Sequence, residues 1–157
     1  MNALWLALDF PHFTLDRVTR GHARAGRLVL AVSDAHPQRP RIMDCTVAAQ
    51  RLGVRAGLPL NGALALADTL QVVSPDPGEE TAALERLAAW CYQYSSQVAL
   101  DLASDPPGGA TGAPPALLLE VAGSERLFGP AESLAVRLVD ALGGLGYRAR
   151  AGLAPTP

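Results

Sequence analysis

The stretch LWLALDFPHF, Leu4 to Phe13, decides how the chain is read. Apolar residues lead up to one carboxylate, Asp9, and a Phe-Pro break follows it. Such a run predicts a buried strand over Ala3 to Leu8 that stops at a turn. An acid at the end of a buried strand is a common place for a metal ligand. One acid rarely makes a metal site, because a divalent cation takes several oxygen donors. The partners of Asp9 have to be sought elsewhere in the chain, and the order of elements says where to look.

Beyond the Phe-Pro break, Thr14 to Arg20 predicts a short helix stopped by Gly21, and RLVLAVS, Arg27 to Ser33, a second strand. DAHPQRPR reads as a turn-rich loop. In DCTVAAQRLG, Asp44 is expected to cap a short helix and Gly53 to end it. LNGALALAD suggests another short helix and LQVV a short strand. DPGE supplies Asp76 as N-cap, Pro77 at the first helical position and Glu79 for a capping box. Leu84, Leu87, Ala88 and Cys91 then recur at helical spacing, so a helix is expected from Pro77 to about Tyr94.

QVALDL reads as a strand, and ASDPPGGATGAPP as an irregular Pro/Gly loop. ALLLEVA is a strongly apolar strand. Ala131, Leu134, Ala135, Leu138 and Leu142 mark a second long helix, expected to end at Gly143 and Gly144, and YRARAGLA is a last strand. With the segment from Pro11 to Ser74 set aside, the order is strand, helix, strand, strand, helix, strand. That is the ferredoxin-like split βαβ order. The expected class is α+β: a βαββαβ domain from residues 1–10 and 75–157, with a small α/β lobe of residues 11–74 inserted in it.

Bulk properties agree with this size. A chain of 157 residues holds one core, or one core with a small lobe. Apolar residues at 49% and charged residues at 18% are enough for a folded protein. A net charge of −2 and a pI near 5.9 give no general pull toward nucleic acid. All thirteen basic residues are Arg, a bias that a GC-rich genome explains more simply than function does. Cys45 and Cys91 have no metal-ligand spacing, so two reduced buried thiols are expected. The N-terminus lacks a basic region and meets Asp9 early, which does not suit a signal peptide. No apolar run approaches the ~20 residues of a membrane helix. The expectation is a soluble cytoplasmic protein.

Several motifs together resemble the Y-family translesion DNA polymerases. LALDFPHF resembles the family's first metal-binding motif. AAQRLGVRAGLPLNGALALADTLQVV, Ala48 to Val73, resembles its finger segment. ALLLEVAGSERLFG is similar to the palm strand after the second acidic motif, and ARAGLAP to the last palm strand. Their order and spacing cover nearly the whole chain. The resemblance implies that the βαββαβ domain is a polymerase palm and the inserted lobe its fingers. Active members hold two divalent metals between carboxylates of neighbouring palm strands, which activate the primer hydroxyl and bridge the triphosphate.

The departures fall on the chemistry. Asp9 stands where the first acid would be. The second acidic motif should come immediately before Leu117, where Pro114, Pro115 and Ala116 stand instead. Glu120 matches a later position that is not a ligand. Asp101 and Asp105 lie upstream and leave open an alternative, an active polymerase using Asp9 with Asp101 or Asp105. The Tyr and Arg that grip the triphosphate correspond to Val47 and Gln50, and a Lys after the last palm strand to Pro157. The aromatic pair beside the first acid, whose second member screens the sugar, is Phe13 and Thr14. Arg51 and Arg55 remain, and with Arg39 and Arg41 they are candidates for contact with a DNA backbone.

A scaffold kept while its chemical groups are lost resembles the ImuB family, the polymerase-like members of bacterial damage-induced mutagenesis cassettes. That resemblance implies a non-catalytic adaptor with a vestigial Asp9, no bound metal and no cofactor. It implies three partners: a RecA-like companion (ImuA), an error-prone C-family DNA polymerase and the sliding clamp. It also implies thumb and little-finger parts beyond Pro157, with any clamp-binding peptide among them.

Other features read as structure. His12, His22 and His36 share no ligand spacing, and Asp34 with His36 lies in a loop poorly suited to hold an acid–base pair. SERLFG has a faint likeness to a clamp-binding peptide, but a turn packing Leu127 and Phe128 under the following helix is the simpler expectation. GGLG, Gly143 to Gly146, ends a helix rather than opening one and so is no nucleotide loop. A small-molecule-binding ferredoxin-like domain would leave the finger resemblance unexplained.

Overall fold

The computed structural model describes residues 3–34, 36–101 and 114–155. In chain order the elements are β1 (Trp5–Asp9), α1 (Phe13–Thr19), β2 (Leu30–Ser33), β3 (Ile42–Cys45), α2 (Val47–Arg51), α3 (Leu60–Leu66) and β4 (Gln71–Val73). Then follow α4 (Pro77–Cys91), β5 (Val98–Asp101), β6 (Ala116–Glu120), α5 (Glu125–Phe128), α6 (Ala131–Gly144) and β7 (Arg150–Ala154). They form two compact units, Met1–Phe13 with Thr81–Pro157, and Thr14–Glu80. No helix among the described residues is long and apolar enough to cross a membrane.

The first unit is built on a four-stranded antiparallel sheet in the order β5-β6-β1-β7. That is the ferredoxin-like arrangement expected from the strand and helix order. In β1, Leu6 and Leu8 are fully buried while Trp5, Ala7 and Asp9 face the other way, as a period of two requires. The register sets Leu6 between Leu119 and Leu153, and Leu8 between Leu117 and Ala151, so one face of the sheet is apolar across its strands. That face joins Leu84, Leu87, Cys91, Leu134, Leu138 and Leu142 of α4 and α6 in one core. Each buried Leu contributes on the order of 2 kcal/mol to holding it.

The helix ends follow from named groups. The Asp76 carboxylate accepts from the Glu79 N–H at 3.1 Å, with Pro77 in the first turn, where its missing N–H costs nothing. α4 stops at Cys91, short of the expected Tyr94. The N–H groups of Tyr94 and Ser95 both turn back to the Cys91 carbonyl, and the Ser95 hydroxyl donates to the carbonyls of Gln97 and Glu120. α6 ends at Gly144, at the glycine pair expected to stop it. The left-handed residue that closes it is Gly146, at φ 88°, after which the Tyr147 N–H bonds the Leu142 carbonyl at 2.9 Å.

The second unit carries a three-stranded sheet in the order β3-β2-β4, with β2 antiparallel to β3 and parallel to β4. β3 corrects the sequence reading, which assigned Ile42 and Met43 to no element and took Asp44 and Cys45 as the start of a helix. Pro37 and Pro40 just before it mask a strand of only four residues. Asp44 therefore lies in β3 and is not the helix cap; its carboxylate accepts from the Cys45 N–H at 2.8 Å. Thr46 is the cap instead. Its hydroxyl accepts from the Ala49 N–H at 3.3 Å and donates to the Leu28 carbonyl, tying α2 to the start of β2. Gly53, at φ 93°, ends α2 as expected.

Candidate functional site

Asp9 is the last residue of β1, on the sheet face opposite the core. The chain leaves the sheet just after it, with the Phe10 N–H on the Pro115 carbonyl at 3.0 Å. The register places Asp9 directly opposite Ala116 of β6 on one side and Arg150 of β7 on the other. Ala116 in turn lies opposite Asp101 of β5. Opposed residues in an antiparallel sheet share a face, so Asp101, Ala116, Asp9 and Arg150 form one row.

The row shows what this site can hold. A carboxylate at position 116 would lie one strand spacing, about 5 Å, from Asp9. A methyl group stands there. Asp101 is two spacings from Asp9, about 10 Å, with β6 between them. On the other side the neighbour is a guanidinium, which opposes cation binding. Among the described residues no group of three or more His, Cys, Asp or Glu is placed to hold a metal ion. These residues do not fit the pair of divalent metals that an active polymerase palm holds. Asp105, most of the Pro/Gly loop before Pro114, and Pro157 lie outside the described residues.

The aromatic-pair positions that follow Asp9 in the chain are committed to other contacts. Phe13 is buried and stacks on Tyr147 at 5.5 Å between ring centroids. The Thr14 hydroxyl donates to the Glu80 carboxylate at 2.6 Å, so the position that would screen a sugar is engaged at the start of α4. Glu120 accepts from the Ala122 N–H at 3.1 Å and shapes the turn after β6.

The second unit contains a cavity of about 450 Å³ at the end of α2. Asp44, Cys45, Val47, Gln50, Arg51 and Arg55 line it. The turn after α2 explains how Arg51 and Arg55 come to line the same cavity. Gly53 reverses the chain, Val54 enters the core, and Arg55 re-emerges. Val47 is 58% exposed, and the Gln50 amide donates to the Cys45 carbonyl at 3.3 Å. Arg39 and Arg41 are not brought to this cavity. Arg41 donates to the Gly57 carbonyl at 2.7 Å, and the Arg39 N–H bonds His36 Nδ1 at 3.1 Å.

The remaining candidates are structural. Asp34 accepts from the N–H groups of Arg41 and His36, which hold its carboxyl below the usual range and fasten the loop before β3. Burial raises the thiol pKa of Cys91 to about 12, and burial with the nearby Asp44 charge raises that of Cys45. The SERLFG segment divides. Phe128 packs on Tyr94 at 5.4 Å and against the core, but Leu127 is 82% exposed, contrary to the expectation that both pack under α6.

The two units have the fold of a Y-family polymerase palm and fingers. The structure of DinB from Sulfolobus solfataricus is similar at a TM-score of 0.60 and 20% identity, covering 98% of this chain and 42% of that one. A post-insertion binary complex of Dbh DNA polymerase is similar at 0.68 and 18%, with the same coverage. Over residues 8–157 the chain matches the impB/mucB/samB family, and it belongs to that family. It is similar to the protein ImuB of Caulobacter vibrioides, in strain NA1000 and in strain ATCC 19089, with 35% identity over 105 residues. That match covers 67% of this chain and spans about a fifth of the length of those relatives, 20%.

Proposed function

We propose that this chain is the palm and fingers part of a non-catalytic, polymerase-like adaptor in damage-induced translesion synthesis and mutagenesis. One observation supports this above the rest: Ala116 occupies the place beside Asp9 where a second metal-binding carboxylate would stand. Val47 and Gln50 at the finger cavity support it independently, since neither grips a triphosphate as Tyr and Arg do. The activity retained is then assembly. The partners proposed are a RecA-like companion (ImuA), an error-prone C-family polymerase and the sliding clamp, the last through parts of the protein outside this chain.

A second reading, an active polymerase, draws on the placement of Asp101 in the same row as Asp9. Primer extension separates the two. The protein, at the length of its relatives, is given a primed template, all four deoxynucleotides and Mg²⁺ or Mn²⁺. No extension is expected, and Ala116→Asp alone restores none, because groups that act as a unit are strongly non-additive. Extension that disappears in Asp9→Ala or Asp101→Ala establishes the second reading instead.

A further inference from the structure

We infer that the cavity at the end of α2 binds an acidic, apolar peptide segment of a protein partner. The inference rests on the interaction-module reading and gives it a ligand chemistry. At about 450 Å³ the cavity falls in the range of sites that enclose a small ligand or a few side chains. Arg51 and Arg55 on its wall are exposed and permanently charged. Guanidinium groups pair with carboxylates through two parallel hydrogen bonds, which favours Asp or Glu over neutral side chains. Apolar surface lies beside the charge: Val47 on the cavity wall is 58% exposed, and Leu52, next to Arg51, is 45% exposed. Charge complementarity with an apolar anchor therefore selects a segment carrying both carboxylates and aliphatic or aromatic side chains.

The same surroundings suit nucleic acid less well. A DNA backbone is matched by a continuous basic track. The second unit, Thr14–Glu80, has eight Arg against seven Asp and Glu, a net of +1. Asp44 stands on the cavity wall itself and repels a dense polyanion more than a single carboxylate. The rest of the wall, Cys45, Val47, Gln50 and Ala56, offers no further cation.

Peptide selection tests this. Random twelve-residue peptides displayed on phage are panned on the chain, and one selected peptide is synthesised with a fluorescein label for anisotropy. Selected sequences should be enriched in Asp and Glu together with Leu, Ile or Phe. The double change Arg51→Glu with Arg55→Glu should weaken binding at least tenfold, as should Val47→Asp and replacing the peptide's acids by their amides. Circular dichroism confirms that each variant is folded, and Arg51→Ala with Arg55→Ala substitutes if the double Glu form is not. Selection without acidic enrichment, or affinity unchanged by these variants, overturns the inference. So does displacement of the peptide by oligo-dT at lower concentration than by the unlabelled peptide, which makes the cavity a nucleic-acid site. Primer extension by the protein would sink the interaction-module reading without altering these results, and failed selection leaves that reading intact.

Discussion

Replacing Leu119 and replacing Asp9 should have opposite consequences for the first unit. Leu119 is fully buried in β6, with Leu6 of β1 and Val98 of β5 as its cross-strand neighbours. Truncation to Ala removes three carbons from a closed core and leaves a cavity, at a cost of about 2–5 kcal/mol. That is a large share of a total stability on the order of 5–15 kcal/mol. Asp9→Ala removes one half of a cross-strand pair with exposed Arg150, and such pairs contribute about 0.2–1 kcal/mol. Solvent screening keeps the value at the lower end. Guanidinium denaturation followed by tryptophan fluorescence measures both, because Trp5 and Trp90 both lie in the first unit. The expected outcome is a large fall in midpoint for Leu119→Ala and a loss of about 0.5 kcal/mol or less for Asp9→Ala. A loss above about 2 kcal/mol for Asp9→Ala would refute the reasoning, because an acid on the sheet face away from the core has no interaction of that size.

The other predictions concern metal, the second unit and the thiols. In titration calorimetry Mg²⁺ and Mn²⁺ should show no saturable site below millimolar that Asp9→Ala removes; finding one contradicts the site geometry. Thr46→Ala removes the α2 cap and the bond to the Leu28 carbonyl, and should destabilise the second unit by about 1–2 kcal/mol in circular-dichroism melts. Cys91, with its pKa raised to about 12, and buried Cys45 should resist Ellman's reagent at pH 8 until the protein unfolds. Burial disfavours the Cys91 thiolate, so this contribution to stability is complete below the ordinary thiol value of 9.0 and is lost as pH rises from there toward 12. Midpoints that rise with pH across that window in the wild type, but not in Cys91→Ala, would reverse the sign.

The long elements were legible in the sequence because periodicity and caps agreed. DPGE and the Leu84–Cys91 stripe place α4, and the stripe from Ala131 to Leu142 places α6. β3 was not legible, since four residues behind two prolines carry too little pattern, and Asp44 mimicked a cap that Thr46 supplies. At the site, the loss of the second acid could be read from Pro115 and Ala116. The row from Asp101 to Arg150 could not, because it depends on strand register, which sets Asp9 beside Ala116 and Arg150, each more than a hundred positions away in the chain. Arg150 was missed for that reason. Asp44 and Cys45 were missed as cavity residues because they were assigned to a helix start rather than to a strand edging the pocket.

Damage-induced mutagenesis in cells tests the central claim most directly. The chromosomal copy is changed to Asp9→Ala or to Leu119→Asp, and mutation frequency after ultraviolet exposure is compared with the unaltered strain. An adaptor needs its folded surfaces, and therefore the core that Leu119 fills, but not an acid without metal partners. The account predicts that Asp9→Ala leaves induced mutagenesis intact and that Leu119→Asp abolishes it. Loss of mutagenesis in Asp9→Ala, with the protein folded, present at normal level and still bound to its partners, would contradict it.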